Sequence, residues 1–206
     1  RLPHRMVKRK PSMVINSSIP LQSKGNSARN YVITMQRLLL KAWLLLLFLF
    51  TPLSIANALE EYQVKAAFIY NFIAFTQWPY EINQSLNFCI YGEDYFGRDI
   101  DHLTAKQINN QAIRVLRLSQ LEEIKVCQVL FISKSAISNL PSILAFIHDQ
   151  SILTIADTPD GAIKGVMINM IMAQNRIVFE VNLQSTRNSK LDLSSKLLQL
   201  AIKVYQ

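Results

Sequence analysis

Glycine and cysteine are scarce here: five and two, respectively, in 206 residues. No glycine-rich phosphate loop, Gly-x-Ser-x-Gly elbow or His-Glu-x-x-His pair is present, which argues against P-loop nucleotide chemistry, α/β-hydrolase chemistry and zinc proteolysis. Histidine is nearly absent as well. Past residue 58 only His102 and His148 remain, each beside an aspartate near a predicted helix end, and both read as solvated. Two isolated histidines and two distant cysteines do not assemble a zinc site, and the cysteines are far from Cys-x-x-Cys redox spacing. With no nucleophile, base and orienter suggesting themselves, the expectation is no catalytic residue, no metal and no cofactor.

Acidic residues are missing from the first 59 positions; all 14 lie at or after Glu60, whereas 9 of the 22 Lys and Arg lie in residues 1–58. Residues 59–206 therefore hold 13 basic and 14 acidic side chains, a net charge of −1. The basic balance of the whole chain belongs to its front end, so net charge gives a nucleic-acid partner no support.

That front end has an order of its own. From Met35, Arg37 and Lys41 make a basic segment, Ala42 to Phe50 an apolar one, and Ala56, Asn57 and Ala58 a small-residue cleavage site. This is the layout of a secretory signal peptide over 35–58, cut after Ala58. The apolar run falls short of the roughly 20 residues a spanning helix needs, and Pro52 interrupts it. Leu59, not a cysteine, follows the cut, so no thiol is offered to a lipid anchor. A signal peptide belongs at an N-terminus, so residues 1–34 read as a non-native extension or a disordered tail. The product expected is an exported domain, residues 59–206, whose 148 residues suit one core.

Within that domain, Leu59 to Thr76 reads as a helix. Tyr62, Ala66, Ile69, Phe72 and Ile73 form one apolar stripe, and Val64, Phe68 and Phe75 a second, so it must be buried on two sides or lend one to a partner. Trp78-Pro79 ends it. Apolar runs predict strands over 86–91, 112–118, 126–132 and 151–156, with helices over 94–103 and 135–147, the latter kinked or offset at Pro141. Residues 166–172 and 176–181 read as an antiparallel hairpin around Ala173, Gln174 and Asn175. A last helix, capped by Asp192 or Ser194, is to carry Leu197, Leu198, Ala201 and Val204 or Tyr205 on one face. Strands separated by helices predict an α/β fold, a single layered domain whose mixed, partly parallel sheet is flanked by helices.

Three groups stand out within this frame. Cys89 and Cys127 each sit early in an apolar strand; a disulfide is open to them if the strands lie close, and two small buried apolar residues are the alternative. Asp157 and Asp160 follow a strand end, where open α/β sheets place binding sites. With Arg187 they are candidates for a ligand or partner loop, against ordinary turn residues and a structural salt bridge. Among the aromatics near the first helix, Tyr62, Tyr70 and Trp78 are candidate interface anchors.

Several stretches taken together resemble the YfiR-like family of exported bacterial proteins. They are Tyr62 to Phe72 running on to Trp78-Pro79, Cys89 to Gly92, Cys127 to Ile132, Ile152 to Asp157 through Gly161 to Ile168, Val178 to Asn182 with Arg187, and Leu193 to Ala201. They cover nearly all of residues 60–203 in family order. Gly165-Val166 departs from the two adjacent glycines that members often carry. The resemblance implies an α/β fold, a homodimer, and a non-catalytic regulator that represses an inner-membrane diguanylate cyclase by binding its periplasmic sensing region. It also implies an outer-membrane lipoprotein able to sequester that regulator. A periplasmic small-molecule binding protein, with a pocket near Asp157 and Arg187, is the other reading.

Overall fold

The structure is a computed structural model that describes residues 31–32, 35–41, 43, 54–82 and 85–206. The chain divides into two units, Arg1–Pro52 and Leu53–Gln206. In the first, residues 35–41 are helical and expose Leu38, Leu39 and Leu40. Most of the apolar core of the expected leader lies outside the described residues, as do residues 1–30. No helix among the described residues is long and apolar enough to cross a membrane.

The second unit opens with helix α1, Ser54–Ala74, which starts upstream of the predicted Leu59. Strand β1, Thr76–Gln77, follows, then β2, Ser85–Tyr91. Next come β3, Gln107–Ile108, β4, Gln111–Leu118, and β5, Val129–Ile132. Helix α2, Leu140–Phe146, and β6, Leu153–Ala156, precede the hairpin of β7, Ile168–Ala173, and β8, Arg176–Asn182. The chain closes with α3, Leu183–Asn188, β9, Asp192–Leu193, α4, Ser195–Leu200, and β10, Lys203–Tyr205.

Eight strands form one sheet in the order β10-β8-β7-β6-β5-β2-β4-β3. Neighbours from β7 through β4 run parallel, while β7–β8 and β3–β4 are antiparallel, which is the mixed sheet predicted. Along the inner strands, side chains alternate between two buried layers. Leu86, Phe88, Ile90, Val129, Phe131, Leu153 and Ile155 join Tyr62, Ile69, Phe72 and Ile73 of α1. Cys89, Leu130, Ile132 and Ala156 join Ile143 and Ile147 on the other face. Both faces of β5 and β6 are therefore covered, which is why those strands read as continuous apolar runs. Cys89 and Cys127 form a disulfide on the second face, with Cα atoms 5.9 Å apart.

Several boundaries differ from expectation, each for a local reason. The helix predicted over 94–103 is replaced by a turn and a 3-10 helix, Ile100–Ala105. Asp94 accepts from the backbone of Phe96 and Gly97, and Gly97 has φ +56°, which interrupts any helix there. Val126 belongs to a 3-10 helix, Leu121–Val126, opened by a capping box of Gln120 and Glu123, so β5 starts only at Val129. The helix predicted over 135–147 is a 3-10 turn, Lys134–Asn139, followed by α2. Pro141 sits in the first turn of α2, where its missing N–H costs nothing. Ser194, not Asp192, caps α4, accepting from the Leu197 N–H at 3.3 Å. The last helix stops at Leu200, and Val204 and Tyr205 lie instead on β10, parallel to β8.

Candidate functional site

From the central strand β2 the chain crosses to β4 on one side and later to β5 on the other, so the sheet has its switch point between β2 and β5. Open α/β sheets bind ligands outside the carboxyl ends of the strands at such a point. Here those ends supply Gly92 to Tyr95 after β2, Ser133 to Ser135 after β5 and, one strand further, Asp157 and Thr158 after β6. Gly92 has φ +97°, and a Cβ on it would stand 2.8 Å from the Ser135 Oγ and 3.0 Å from the Ala136 Cβ. Its lack of a side chain lets the β2 and β5 ends close on each other.

The crevice is filled by the chain itself. Lys65 of α1 is 3% exposed, and its Nζ lies 2.5 Å from the Asp157 Oδ2 and 2.5 Å from the Glu61 Oε1. The Tyr62 hydroxyl donates to the same Asp157 oxygen at 2.8 Å. The Asp157 side chain is 2% exposed, and its Oδ1 has no hydrogen-bond partner, nor has the Thr158 Oγ1. Burial and the Asp157 charge push the Tyr62 phenol well above its usual range. Lys65 meets two carboxylates at once, the arrangement a buried cation requires.

Above this layer the surface is aromatic and mixed in charge. The Tyr62 and Tyr95 rings stack at 5.7 Å, and the exposed Lys134 places its Nζ 4.2 Å from the Tyr95 centroid. Tyr95 donates to Glu93 at 2.7 Å, a bond that raises its own pKa. The loop that carries Asp157 is held from below. Buried Asn169 accepts from the Thr158 N–H and donates to the Thr158 carbonyl, so closely that a Cβ on Gly161 would stand 2.4 Å from its Oδ1. Asn182 donates to the Ala162 carbonyl and caps α3 by accepting from Ser185.

The residues singled out in the sequence thus scatter. Asp157, expected in an open loop, is locked beneath α1. Asp160 is exposed in the turn with φ +59°. Arg187 stands exposed in the last turn of α3 and makes no ion pair among the described residues, while the Asp157 carboxylate is taken up by Lys65 and Tyr62. Tyr62, expected as an interface aromatic, is 5% exposed and works inside the fold. Tyr70 is half-buried, with Lys106 over its ring at 4.3 Å. Trp78 is half-buried and lines a groove of about 660 Å³ with Thr76, Tyr80, Leu86 and Ile108; its indole N–H is buried without a partner. Lys65, Tyr95 and Lys134 were missed. Lys65 had a signal: it interrupts the buried stripe one residue before Ala66, where a cation must bring its counter-ion with it.

A group of three or more His, Cys, Asp or Glu able to hold a metal is not found among the described residues. In the cluster at the strand ends the Asp157 Oδ2 is shared by Lys65 and Tyr62, and Lys65 also meets Glu61. Two solved structures resemble the chain distantly. One is an ABC domain from Streptococcus pneumonia in complex with L-Trp, at 7% identity and TM-score 0.44, over 58% of this chain and 55% of that one. The other is a conserved domain protein from Vibrio cholerae O1 biovar eltor, at 6% identity and TM-score 0.49, over 69% and 60%. The chain spans little more than half the length of these two proteins, and neither likeness is close enough to carry an argument. No curated protein matches. The family pattern described as YfiR/HmsC-like does match, over residues 62–202, from Tyr62 of the buried cluster to the start of β10, and the chain belongs to that family.

Proposed function

We propose that this protein, released from its leader after Ala58, is a non-catalytic periplasmic regulator. It binds and represses the periplasmic sensing region of an inner-membrane diguanylate cyclase. In this reading it works as a homodimer, and an outer-membrane lipoprotein can draw it away from the cyclase. The observation that carries the proposal is membership of the YfiR/HmsC-like family over residues 62–202. The Cys89–Cys127 disulfide fits an oxidising compartment. The geometry of the strand ends agrees with a binding role, because α1 occupies the crevice where an α/β enzyme would hold its substrate.

The mechanism is linkage. A regulator that binds the inactive conformation of the cyclase more tightly than the active one shifts the population by that difference in affinity. Deleting the gene in the native host should raise cyclic di-GMP and biofilm formation, and a plasmid copy should restore both only with the leader present. Unchanged cyclic di-GMP in the deletion strain would remove the proposal. A second reading, a small-molecule binding protein, draws on the groove beside Trp78 with its unpaired indole N–H. A thermal-shift screen of periplasmic metabolites that finds no ligand would dispose of it.

A further inference from the structure

At the amino ends of β2 and β4, away from the Lys65 cluster at the carboxyl ends, lies the groove of about 660 Å³ beside Trp78. That volume is in the range of pockets that hold small molecules. Two aromatic rings line it: Trp78 is half-buried, and Tyr80 is 48% exposed. Three amides line it as well, from Gln77, Asn109 and Gln111. Asn109 and Asn110 join β3 to β4 with consecutive positive φ angles, 51° and 64°, the two-residue turn that sets Asn109 on the rim. Gln111 donates its amide N–H to the Ile82 carbonyl, so its Oε1 is left as an acceptor.

The lining selects a class of ligand. It holds no Lys, Arg or His among the described residues, so a phosphate or carboxylate would enter without a counter-charge. Its one charged residue, Glu81, is exposed and gives a cation little hold. What remains are aromatic faces that take apolar surface and amides that offer donors and acceptors side by side. A sugar ring matches both. Its C–H bonds rest on the negative face of an aromatic ring, and each hydroxyl at its edge both donates and accepts. The Trp78 indole N–H, buried without a partner, shows that this wall is short of an acceptor. We infer that the groove beside Trp78 binds a short uncharged saccharide. The inference rests on the small-molecule reading above and names its class of ligand.

Trp78 is the only tryptophan within residues 59–206, so the emission of that domain reports on this groove. The test titrates the protein purified from the periplasm of its host with maltotriose and with N,N′-diacetylchitobiose. Glucose 6-phosphate and L-lysine serve as charged controls. One or both saccharides should shift the Trp78 emission saturably, and the charged controls should not. Tyr80→Ala and Gln77→Ala should each weaken that binding about fivefold or more, with thermal midpoints within a few degrees of the wild type. Ile163→Asp, an exposed position on another loop, should bind as the wild type does. No saturable shift with either saccharide up to millimolar concentration, or binding that survives both groove substitutions, overturns the inference. A charged metabolite that shifts Trp78 where the saccharides do not removes the saccharide and leaves the small-molecule reading standing. A protein that no metabolite shifts or stabilises loses both.

Discussion

Replacing Lys65 with methionine tests the central claim about the strand ends. The substitution keeps the length and apolar stem of the side chain and deletes its charge. Asp157 would then be left with a 2% exposed side chain, one hydrogen bond from Tyr62 on Oδ2 and none on Oδ1. Removing one member of a buried ion pair typically costs about 3–5 kcal/mol, because the other charge stays desolvated. Set against a total stability of about 5–15 kcal/mol, that is a large fraction. At about 2–4 °C per kcal/mol for a domain of this size, it corresponds to a fall of roughly 6–20 °C in thermal midpoint. Asp157→Asn should cost less, about 1–3 kcal/mol, because Lys65 keeps Glu61, whose side chain is 29% exposed, and the amide still accepts from Tyr62. The double variant should fall short of the sum of the two by about 1–3 kcal/mol, since it removes both charges together. Urea unfolding followed by far-ultraviolet circular dichroism, with the disulfide intact, measures all three. A Lys65→Met loss below about 1 kcal/mol, or strict additivity, would mean that the pair does not hold α1 on the sheet.

The Tyr62 phenol is held above its ordinary value of 10.0, so its contribution to stability is full below pH 10 and drains away as pH rises toward the folded value. Absorbance at 295 nm should show a tyrosine signal that appears only on alkaline unfolding, and Tyr62→Phe should remove it; a signal unchanged in that variant would contradict the burial described. The disulfide spans a sequence separation of 38, so the Cys89→Ala/Cys127→Ala variant should lose roughly 2–4 kcal/mol, and an unshifted urea midpoint would refute that.

The central strands were legible because burial on both faces writes itself as uninterrupted apolar sequence, as in Val129 to Ile132. The β7–β8 hairpin was legible because Gln174 and Asn175 supply two consecutive positive φ angles, 48° and 61°, between alternating arms. What escaped was set by contacts far along the chain. Lys203 to Tyr205 carry too few residues for a period, and they become a strand only because β8 offers an open edge. Thr76–Gln77 pairs with Asp192–Leu193 across more than a hundred residues, and neither dipeptide announces it. The strand-end site was half legible. Asp157 stood where the rule for open sheets points, but nothing local to it tells that Lys65, 92 residues earlier, will come to rest on it.

The Cys89–Cys127 link also bears on how the sheet is built. It closes a ring that contains β3 and β4 and ties β2 to the residue just ahead of β5, its non-sequential neighbour. Chain closure between those two strands would otherwise have to be found by diffusion over the whole intervening segment, the slow kind of step in parallel topologies. Once oxidised, the chain carries that proximity covalently, and β5 no longer has to search for β2. A reduced chain must assemble the same centre unaided, so oxidation should speed refolding more than it slows unfolding.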